Sequence, residues 1–578
     1  MPDAANPEQS KSASGAAVTR REMLAGAGGL GLLAAAAPLA GRRGVAPLGA
    51  ARTTSGDGTP EQLHLTWGAD PATSVTISWA SPGRAQGPRV LLDPGRGWPR
   101  SVPAQEQTYT DGLNGQTVWT YHATINGLRP GTRYGYAVTA DNDSRRRAPL
   151  KASFTTAPFG RRPFRFTSFG DLATPNTKWV LSYGQAAYAV AAVERFQPTF
   201  HLINGDLCYA DLNPASQPEV WRDYGNNNQT SAANRPWMPC PGNHEMEWYE
   251  GPQGYGSYLT RYQLPDNGVP GFGGRWYSFV VGSALFISLD ANDVVYQDSG
   301  PFVSGPGPLV PAKSTGNPPI QPGSSIYLQG YSDGAQTRWL QRTLEEARRS
   351  PFIDWIVVQM HQSIASSSLG NGSDLALRAE WAPLLDEYEV DLVVNGHDHD
   401  YERSFPTRGY DSDVGWEASS GATVQTMRPH PVTTVDSRTF DTSKGTVHLV
   451  LGGGGTSDDT DTYLEDDKDG LPEAQIFTRR NAPEPSSTPG EYYRPYADAL
   501  EDAVWSAKRN PATGYGIGVF DVDPGRYPGD QTSIKYRYYQ ALGADPTNPA
   551  TGQKGAPNPD YTLFETVTFH RPRSDRRR

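Results

Sequence analysis

The sequence predicts a layered α+β fold, in which a β-sandwich is flanked by helices, preceded by an all-β sandwich. The 578 residues exceed what one hydrophobic core usually holds, so at least two domains are expected. From about residue 62 to residue 158, short runs alternate apolar and polar side chains, as in S-V-T-I-S-W at 74–79, which indicates strands. After Arg162 the pattern changes to strand, loop, helix and strand, which places the mixed domain there.

Residues 1–50 are predicted to be an export signal and a linker. The stretch T-R-R-E-M-L at 19–24 precedes a Gly- and Ala-rich apolar segment that ends at residue 40, and this arrangement resembles a bacterial twin-arginine signal. The apolar segment is shorter than the ~20 strongly apolar residues that a membrane span needs. No later stretch is long and apolar enough either. We therefore expect an exported protein, secreted or in the cell envelope, without a transmembrane segment.

The first domain is predicted at residues 60–158. Its stretch T-I-N-G-L-R-P-G-T-R-Y-G-Y-A-V at 124–138 resembles a fibronectin type III-like sandwich, where a Leu before a Pro-Gly turn leads into a Tyr-bearing strand. Such modules usually bind or space other domains, and this one shows no catalytic grouping of side chains.

The second domain is predicted at residues 163–572. Apolar residues at steps of three and four predict helices at about 179–196 and 336–349. Four apolar stretches predict strands that each end in an ionisable or metal-binding side chain, at 165–171, 199–206, 353–361 and 390–397. Strands predicted at 446–452, 517–522, 533–539 and 565–570 would complete the layered core.

The polar residues at these strand ends form the candidate site. Ligands of α/β sheets lie beyond the carboxyl ends of the strands, so these side chains are expected to converge. Carboxylate, amide and imidazole groups together suit first-row transition metals, and two such metals can clamp a phosphate oxygen and activate water. His397 and His399 are two residues apart, so in an extended segment both face the same side. The full set is Asp171, Asp206, Tyr209, Asn243, His244, His361, His397 and His399.

This set is similar to that of the calcineurin-like metallophosphoesterases and, within them, the purple acid phosphatases. The resemblance depends on the Gly-Asp-x-x-Tyr motif at 205–209 and on G-H-D-H-D-Y-E-R-S at 396–404. Ala173 stands where the wider superfamily has the His of an Asp-x-His motif. The resemblance implies an acid phosphatase in which metal-bound hydroxide attacks a phosphomonoester.

The resemblance also implies a role for each site residue. Ferric iron would be held by Asp171, Tyr209 and His399. A divalent metal, zinc, manganese or iron, would be held by Asn243, His361 and His397. Asp206 would bridge the two metals, and His244 would face the phosphate and protonate the leaving oxygen.

Two alternative functions stay open from the sequence. Plant-type enzymes have a pair of histidines where Gly370 and Asn371 stand here, so a phosphodiesterase acting on nucleotide or phospholipid diesters is the second candidate. A secreted binding protein with an inactive metal site is a candidate of a different class.

The net charge restricts the possible partners, and the two cysteines raise the possibility of a disulfide. The 51 basic and 62 acidic residues give a net charge of −11, which argues against nucleic acid as a partner. The resemblance implies a phosphorylated small molecule or lipid as the substrate, and the sequence leaves the oligomeric state open. Cys208 and Cys240 are the two cysteines and lie beside ligand loops, where export would favour a disulfide between them. The sequence leaves this disulfide open.

Overall fold

The computed structural model describes residues 57–93, 100–144, 149–247, 250, 252–297, 330–369, 371–412, 414–417, 421–457, 463, 466, 470–479, 484–485, 492–493, 496–542 and 557–577. The predicted export signal at 1–50 and Gly370 lie outside the described residues.

Two four-stranded antiparallel sheets form the N-terminal sandwich. Its core contains Trp79 and Tyr121, whose ring centroids lie 5.7 Å apart. The strand predicted from the alternation at 74–79 is present in this sandwich as Val75–Ser81. The strands are β1 (Glu61–Thr66), β2 (Val75–Ser81), β3 (Arg89–Asp93), β4 (Arg100–Pro103), β5 (Gln105–Thr110), β6 (Thr117–Ile125), β7 (Arg133–Thr139) and β8 (Leu150–Thr155). Their orders in the two sheets are β1-β2-β6-β5 and β4-β3-β7-β8.

Within the described residues, the later part of the chain forms three larger sheets and two two-stranded antiparallel sheets. Its strands up to the middle of the domain are β9 (Phe164–Phe169), β10 (Phe200–Ile203), β11 (Trp237–Pro239), β12 (Tyr277–Val281), β13 (Ala284–Ser288), β14 (Trp355–Gln359), β15 (Ser373–Asp374), β16 (Leu392–Asn395), β17 (Tyr401–Ser404), β18 (Thr407–Tyr410), β19 (Val414–Glu417), β20 (Thr423–Gln425) and β21 (Pro429–Pro431). The remaining strands are β22 (Thr439–Asp441), β23 (Val447–Leu451), β24 (Glu473–Arg479), β25 (Glu484–Pro485), β26 (Tyr492–Tyr493), β27 (Tyr496–Asp502), β28 (Ser506–Arg509), β29 (Gly516–Asp523), β30 (Gln531–Gln540) and β31 (Thr562–Pro572).

Two seven-stranded mixed sheets form the centre of this domain. Their orders are β11-β10-β9-β29-β30-β31-β22 and β12-β13-β14-β16-β23-β17-β28. Aromatic side chains join the two sheets, since the Phe286 ring of β13 lies 5.1 Å from Phe166 of β9 and 4.9 Å from Phe200 of β10. A third sheet has the order β15-β24-β27-β19-β20.

Helices cover the outer faces of the two central sheets. Leu340 and Leu344 of the helix at 335–349 are buried with Ile356 and Val358 of β14, because the helix turns one apolar stripe toward the sheet. The described helices are α1 (Ala186–Phe196), α2 (Gln217–Ala232), α3 (Gly256–Arg261), α4 (Ala335–Arg349), α5 (Leu375–Glu380) and α6 (Ala382–Glu387). None of these helices is long and apolar enough to cross a membrane. The layered α+β fold predicted from the sequence is confirmed.

One predicted helix is too long. The pattern predicts helix over 179–196, but α1 begins only at Ala186. Leu181 and Gly184 adopt φ angles of 56° and 89°, which a right-handed helix cannot contain. Apolar periodicity alone does not reveal this turn, because the apolar spacing continues through it.

Among the described residues, the sandwich contacts the second domain through β1, through β6 and β7, and through the loop between β5 and β6. Glu61 of β1 forms an ion pair of 2.7 Å with Arg222 of α2. The Gly112 N–H, between β5 and β6, donates a 3.2 Å hydrogen bond to Glu250. The sandwich thus supports the segment that follows Asn243 and His244.

Candidate metal centre

The candidate site lies where parallel strands of both central sheets end. Strands β9, β10 and β11 are parallel neighbours in one sheet, and β13, β14, β16 and β23 are parallel neighbours in the other. Four predicted site residues just beyond these ends adopt a left-handed backbone, with φ between 51° and 72°. Such conformations are rare outside glycine and cluster at functional sites, where the surrounding structure holds them. The four are Asp171, Asp206, Tyr209 and His397.

Asp171, Tyr209 and His399 form one group. The Tyr209 hydroxyl lies 3.1 Å from Asp171 Oδ1 and 3.1 Å from His399 Nε2. His399 Nε2 lies 3.5 Å from Asp171 Oδ1. Phenol oxygen, carboxylate oxygen and imidazole nitrogen therefore face one common point.

Asp206, His361 and His397 form the second group. Their ligand atoms all lie within 4.8 Å of one another, and all three residues are buried. His361 Nε2 lies 3.0 Å from Asp206 Oδ2 and 3.3 Å from His397 Nδ1. The other ring nitrogen of His361 is 2.7 Å from the Asn204 carbonyl, an anchor that turns Nε2 toward the group.

The two groups adjoin each other through Asp171. Its Oδ1 lies 4.0 Å from His361 Nε2, and its Oδ2 accepts a 3.0 Å hydrogen bond from the backbone N–H of His397. The structure therefore brings together six of the predicted metal ligands, contributed by loops after β9, β10, β14 and β16.

Asn243 is the seventh predicted ligand and lies in a single 3₁₀ turn, Asn243–Glu245. Its Oδ1 is buried and has no hydrogen-bond partner within the part of the chain that the structure describes. The next residue donates its N–H to Asp206 Oδ1 at 3.0 Å, so the turn lies against the second group. A buried amide oxygen without a donor is costly, and a metal ion would satisfy it.

His244 occupies the more open edge of the site. Its side chain is 21% exposed, whereas Asp206 is 2% exposed. Nδ1 lies 2.8 Å from Asp211 Oδ2, Nε2 lies 3.9 Å from Asp206 Oδ2, and the ring packs at 4.7 Å on Tyr209. This imidazole is therefore oriented by a carboxylate and faces the accessible side.

Two glycines permit the close approach of the loops. A Cβ at position 242 would lie 2.1 Å from Asp206 Oδ1, and a Cβ at position 396 would lie 2.5 Å from Asp171 Oδ2. Any side chain at Gly242 or Gly396 would displace a carboxylate.

Burial and neighbouring charges shift the pKa values of His361 and Asp206 in opposite directions. Burial lowers the pKa of His361, but Asp206 and Asp171 outweigh it and raise this pKa to about 9. Burial raises the pKa of Asp206, but the charges of His361 and His244 lower it overall. Burial is also the largest cause of the raised pKa values of Asp171 and Tyr209. Buried carboxylates of this kind attract compensating positive charge, which a cation would supply.

The donor set fits a transition-metal centre. Carboxylate, phenol, amide and imidazole donors converge from both sheets, and soft thiol ligands are absent from the described cluster. These residues could hold metal ions in two adjoining sets.

Three residues of the site were not predicted from the sequence. The Thr456 hydroxyl lies 3.3 Å from the Tyr209 hydroxyl and donates to the Asp171 carbonyl at 3.0 Å. Asp211 orients His244, and Glu245 accepts hydrogen bonds from the loop of Asp206. No pattern in the sequence singles out Thr456, whereas Asp211 and Glu245 each lie within two residues of a predicted site residue.

The disulfide that the sequence left open is not formed. Cys208 and Cys240 are both free and buried. Cys240 is fully buried, and Cys208 belongs to the main apolar core, so each thiol lies in a packed environment.

Asn371, at the position that differs from the plant-type enzymes, lies against the second group. Its Nδ2 donates to the His397 carbonyl at 2.8 Å, and its Oδ1 accepts from Gln297 at 2.9 Å. An uncharged amide thus supports the His397 loop.

Comparisons with known proteins agree with this geometry. Residues 60–156 match the family described as purple acid phosphatase, N-terminal domain, and residues 164–401 match the calcineurin-like phosphoesterase family. An uncharacterized protein of Mycobacterium tuberculosis is 40% identical over 515 residues, which cover 87% of this chain and 86% of that protein. The Fe(3+)-Zn(2+) purple acid phosphatase 12 of Arabidopsis thaliana is 25% identical over 370 residues, which cover 60% of this chain and 66% of that protein.

A solved structure supports the fold over most of the chain. The purple acid phosphatase from yellow lupin (Lupinus luteus) seeds matches with a TM-score of 0.56 and 17% identity, covering 90% of this chain and 75% of its own. Since both domains match in order and relatives of this type recur, the chain belongs to the purple acid phosphatase group of the calcineurin-like metallophosphoesterases and is a metal-dependent phosphoester hydrolase.

Proposed function

We propose that this enzyme is an exported acid phosphatase that hydrolyses phosphomonoesters at a dinuclear metal centre. The observation that supports it best is the meeting of two ligand groups, one around Asp171 and one around Asp206, with His244 at their open edge. When bound, the metal pair supplies Lewis acidity that activates water and neutralises charge on the phosphate.

The proposal assigns each ligand group to one ion. Ferric iron is assigned to Asp171, Tyr209 and His399. A divalent metal, zinc, manganese or iron, is assigned to Asn243, His361 and His397. Asp206 is assigned as the bridging carboxylate, because its side chain contacts His361 of the second group and its carbonyl accepts the N–H of Leu172, the residue next to Asp171 of the first group, at 3.2 Å.

His244 is proposed as the general acid. The 2.8 Å contact of Nδ1 with Asp211 orients the ring, so that Nε2 can donate a proton to the leaving alcohol oxygen. Packing on Tyr209 restricts the tilt of the ring, which keeps the proton donor at the open edge of the site.

A phosphodiesterase remains the second candidate because of Asn371. The Asn371 amide, which is hydrogen-bonded to His397 and Gln297, stands where the plant-type enzymes have an imidazole. Because an amide is uncharged and smaller than an imidazole, the second ester group of a phosphodiester would have more room there. Hydrolysis of p-nitrophenyl phosphate and of bis(p-nitrophenyl) phosphate, measured side by side, separates the two candidates. A higher kcat/KM for the diester would contradict the monoesterase proposal.

The metal assignment has a spectroscopic test. Metal analysis of the pure protein is expected to give one iron and one divalent ion per chain, and a visible absorption band is expected from phenolate bound to ferric iron. Tyr209→Phe should lose this band. An active, colourless and iron-free enzyme would overturn the assignment.

Export is proposed from the twin-arginine pattern at 19–24. Replacing Arg20 and Arg21 by Lys is expected to retain the protein in the cytoplasm of a host that has this export pathway. Unchanged export of that variant would contradict the proposal.

A further inference from the structure

A cavity of about 160 Å³ lies between the outer face of the second central sheet and the helices α5 and α6. Its wall is mostly apolar and includes Ile364, Ala382, Leu385 and Met427. Tyr410, which is 58% exposed, lies at its rim. Cavities of roughly 150 Å³ with apolar walls accommodate one benzene ring, so the volume fits a single aromatic ring.

His448 provides a polar group in this apolar wall. It lies on β23 and is 4% exposed, and its Nδ1 is buried without a hydrogen-bond partner among the described residues. Burial, helped by the charge of Arg378, lowers the pKa of His448 to about 3. A neutral imidazole has one donor and one acceptor nitrogen, and an unsatisfied one in an apolar site favours a ligand that completes the bond.

The charged groups around His448 have their own partners. Arg378 pairs with Glu501 at 2.9 Å and donates to the Ile364 carbonyl at 2.8 Å. Asp386 accepts the Gly409 N–H at 2.7 Å, and its negative charge disfavours an anionic ligand. A phosphorylated molecule therefore does not suit this cavity.

The cavity is separate from the metal-ligand set. His448 pairs with Val393 inside the sheet, whereas His397 lies beyond the end of β16 at Asn395, and none of the residues that line the cavity is a predicted site residue. We infer that this cavity is a binding site for a small, uncharged aromatic molecule of one ring that carries a hydroxyl or N–H group, which hydrogen-bonds His448. The inference does not depend on the proposed phosphatase function.

Phenol, titrated into the full-length metal-loaded protein by calorimetry, tests the inference. We expect one saturable site that persists when inorganic phosphate fills the active site. Benzene, which has the ring but no donor, is expected to bind roughly three- to tenfold more weakly, the worth of one hydrogen bond. His448→Phe should weaken phenol binding by a similar factor and leave benzene binding unchanged.

Two variants on α6 locate the site. Ala382→Phe puts a ring into the cavity and is expected to abolish phenol binding, whereas Glu387→Phe adds the same ring at an exposed position of the helix and should not. Turnover of p-nitrophenyl phosphate should be unchanged in both variants. Met427→Trp replaces the first variant if Ala382→Phe does not fold. No saturable phenol binding to the wild type, or equal binding to a folded cavity-filled variant, would overturn the inference.

Discussion

The carboxylate of Glu245 accepts a buried hydrogen bond of 2.9 Å from the backbone N–H of Asp206. It also accepts from the N–H groups of Leu207 at 2.8 Å and Gly242 at 2.7 Å. One side chain therefore joins the loop after β10, which carries Asp206 and Tyr209, to the turn that carries Asn243.

Glu245→Gln should loosen this junction, because an amide has one acceptor oxygen where the carboxylate has two. We expect metal affinity and kcat/KM to fall roughly 10- to 100-fold, as for other groups that orient metal ligands. Metal titration and steady-state kinetics measure both effects. Glu194→Gln, which alters an ion pair with Arg235 away from the site, is the matched control. Full metal affinity in Glu245→Gln would contradict this role.

His244→Ala tests the proposed proton donor, because the size of the rate loss should depend on the leaving group of the substrate. Loss of a general acid typically costs roughly 10²- to 10⁴-fold in rate. We expect a loss in this range for alkyl phosphates, whose leaving oxygen needs a proton, and a smaller one for p-nitrophenyl phosphate, whose leaving group departs as an anion. Asp211→Asn, which removes the charge at the 2.8 Å contact with Nδ1, should show the same trend with a smaller loss. Equal losses for both substrates would contradict the assignment.

Thr456→Val should perturb the proposed iron side of the site while preserving the shape of the side chain. The threonine hydroxyl lies 3.3 Å from the Tyr209 hydroxyl and donates to the Asp171 carbonyl at 3.0 Å. Without it, we expect the visible band attributed to the Tyr209 phenolate to shift and kcat to fall up to about tenfold, the worth of one hydrogen bond. Thr456→Ser retains the hydroxyl and should behave as the wild type. An unchanged spectrum in Thr456→Val would show that the hydroxyl does not tune Tyr209.

The sequence predicted four of the strands that end at the site because each is a buried apolar run that leads into an ionisable or metal-binding side chain, whereas β11, which precedes Asn243, was not predicted. The positions of Asp171 and His361 at strand ends could be predicted in this way. Thr456 could not, because a threonine after four glycines has no pattern until the fold places it against Tyr209. The start of α1 was also hidden, since the left-handed turn at Leu181 and Gly184 interrupts an otherwise helical periodicity. Whether Cys208 and Cys240 form a disulfide could not be predicted either, because this depends on packing, which residue spacing does not determine.

Asp391→Asn should destabilise the second domain at neutral pH. Asp391 is fully buried between Arg348 at 2.9 Å and Arg571 at 2.6 Å. Removing one partner from a buried ionic group leaves uncompensated charge and costs roughly 3–5 kcal/mol of unfolding free energy. Asp436→Asn, at a 55% exposed partner of Arg403, is the control and should cost less than about 1 kcal/mol.

The stabilisation by Asp391 should also depend on pH, and only at the acidic end. Burial raises the pKa of Asp391, but the positive charges of Arg571 and Arg348 outweigh burial and lower it below the usual 3.8. A carboxyl whose folded-state pKa is depressed stabilises the fold fully above its unfolded pKa and loses this contribution as pH falls through the folded pKa. The difference in unfolding free energy between the wild type and Asp391→Asn should therefore be constant from neutral pH down to about 5 and shrink below about pH 4. Denaturant titrations of both proteins between neutral pH and pH 3 measure it, and a difference that shrank already between pH 7 and 5 would contradict a depressed pKa.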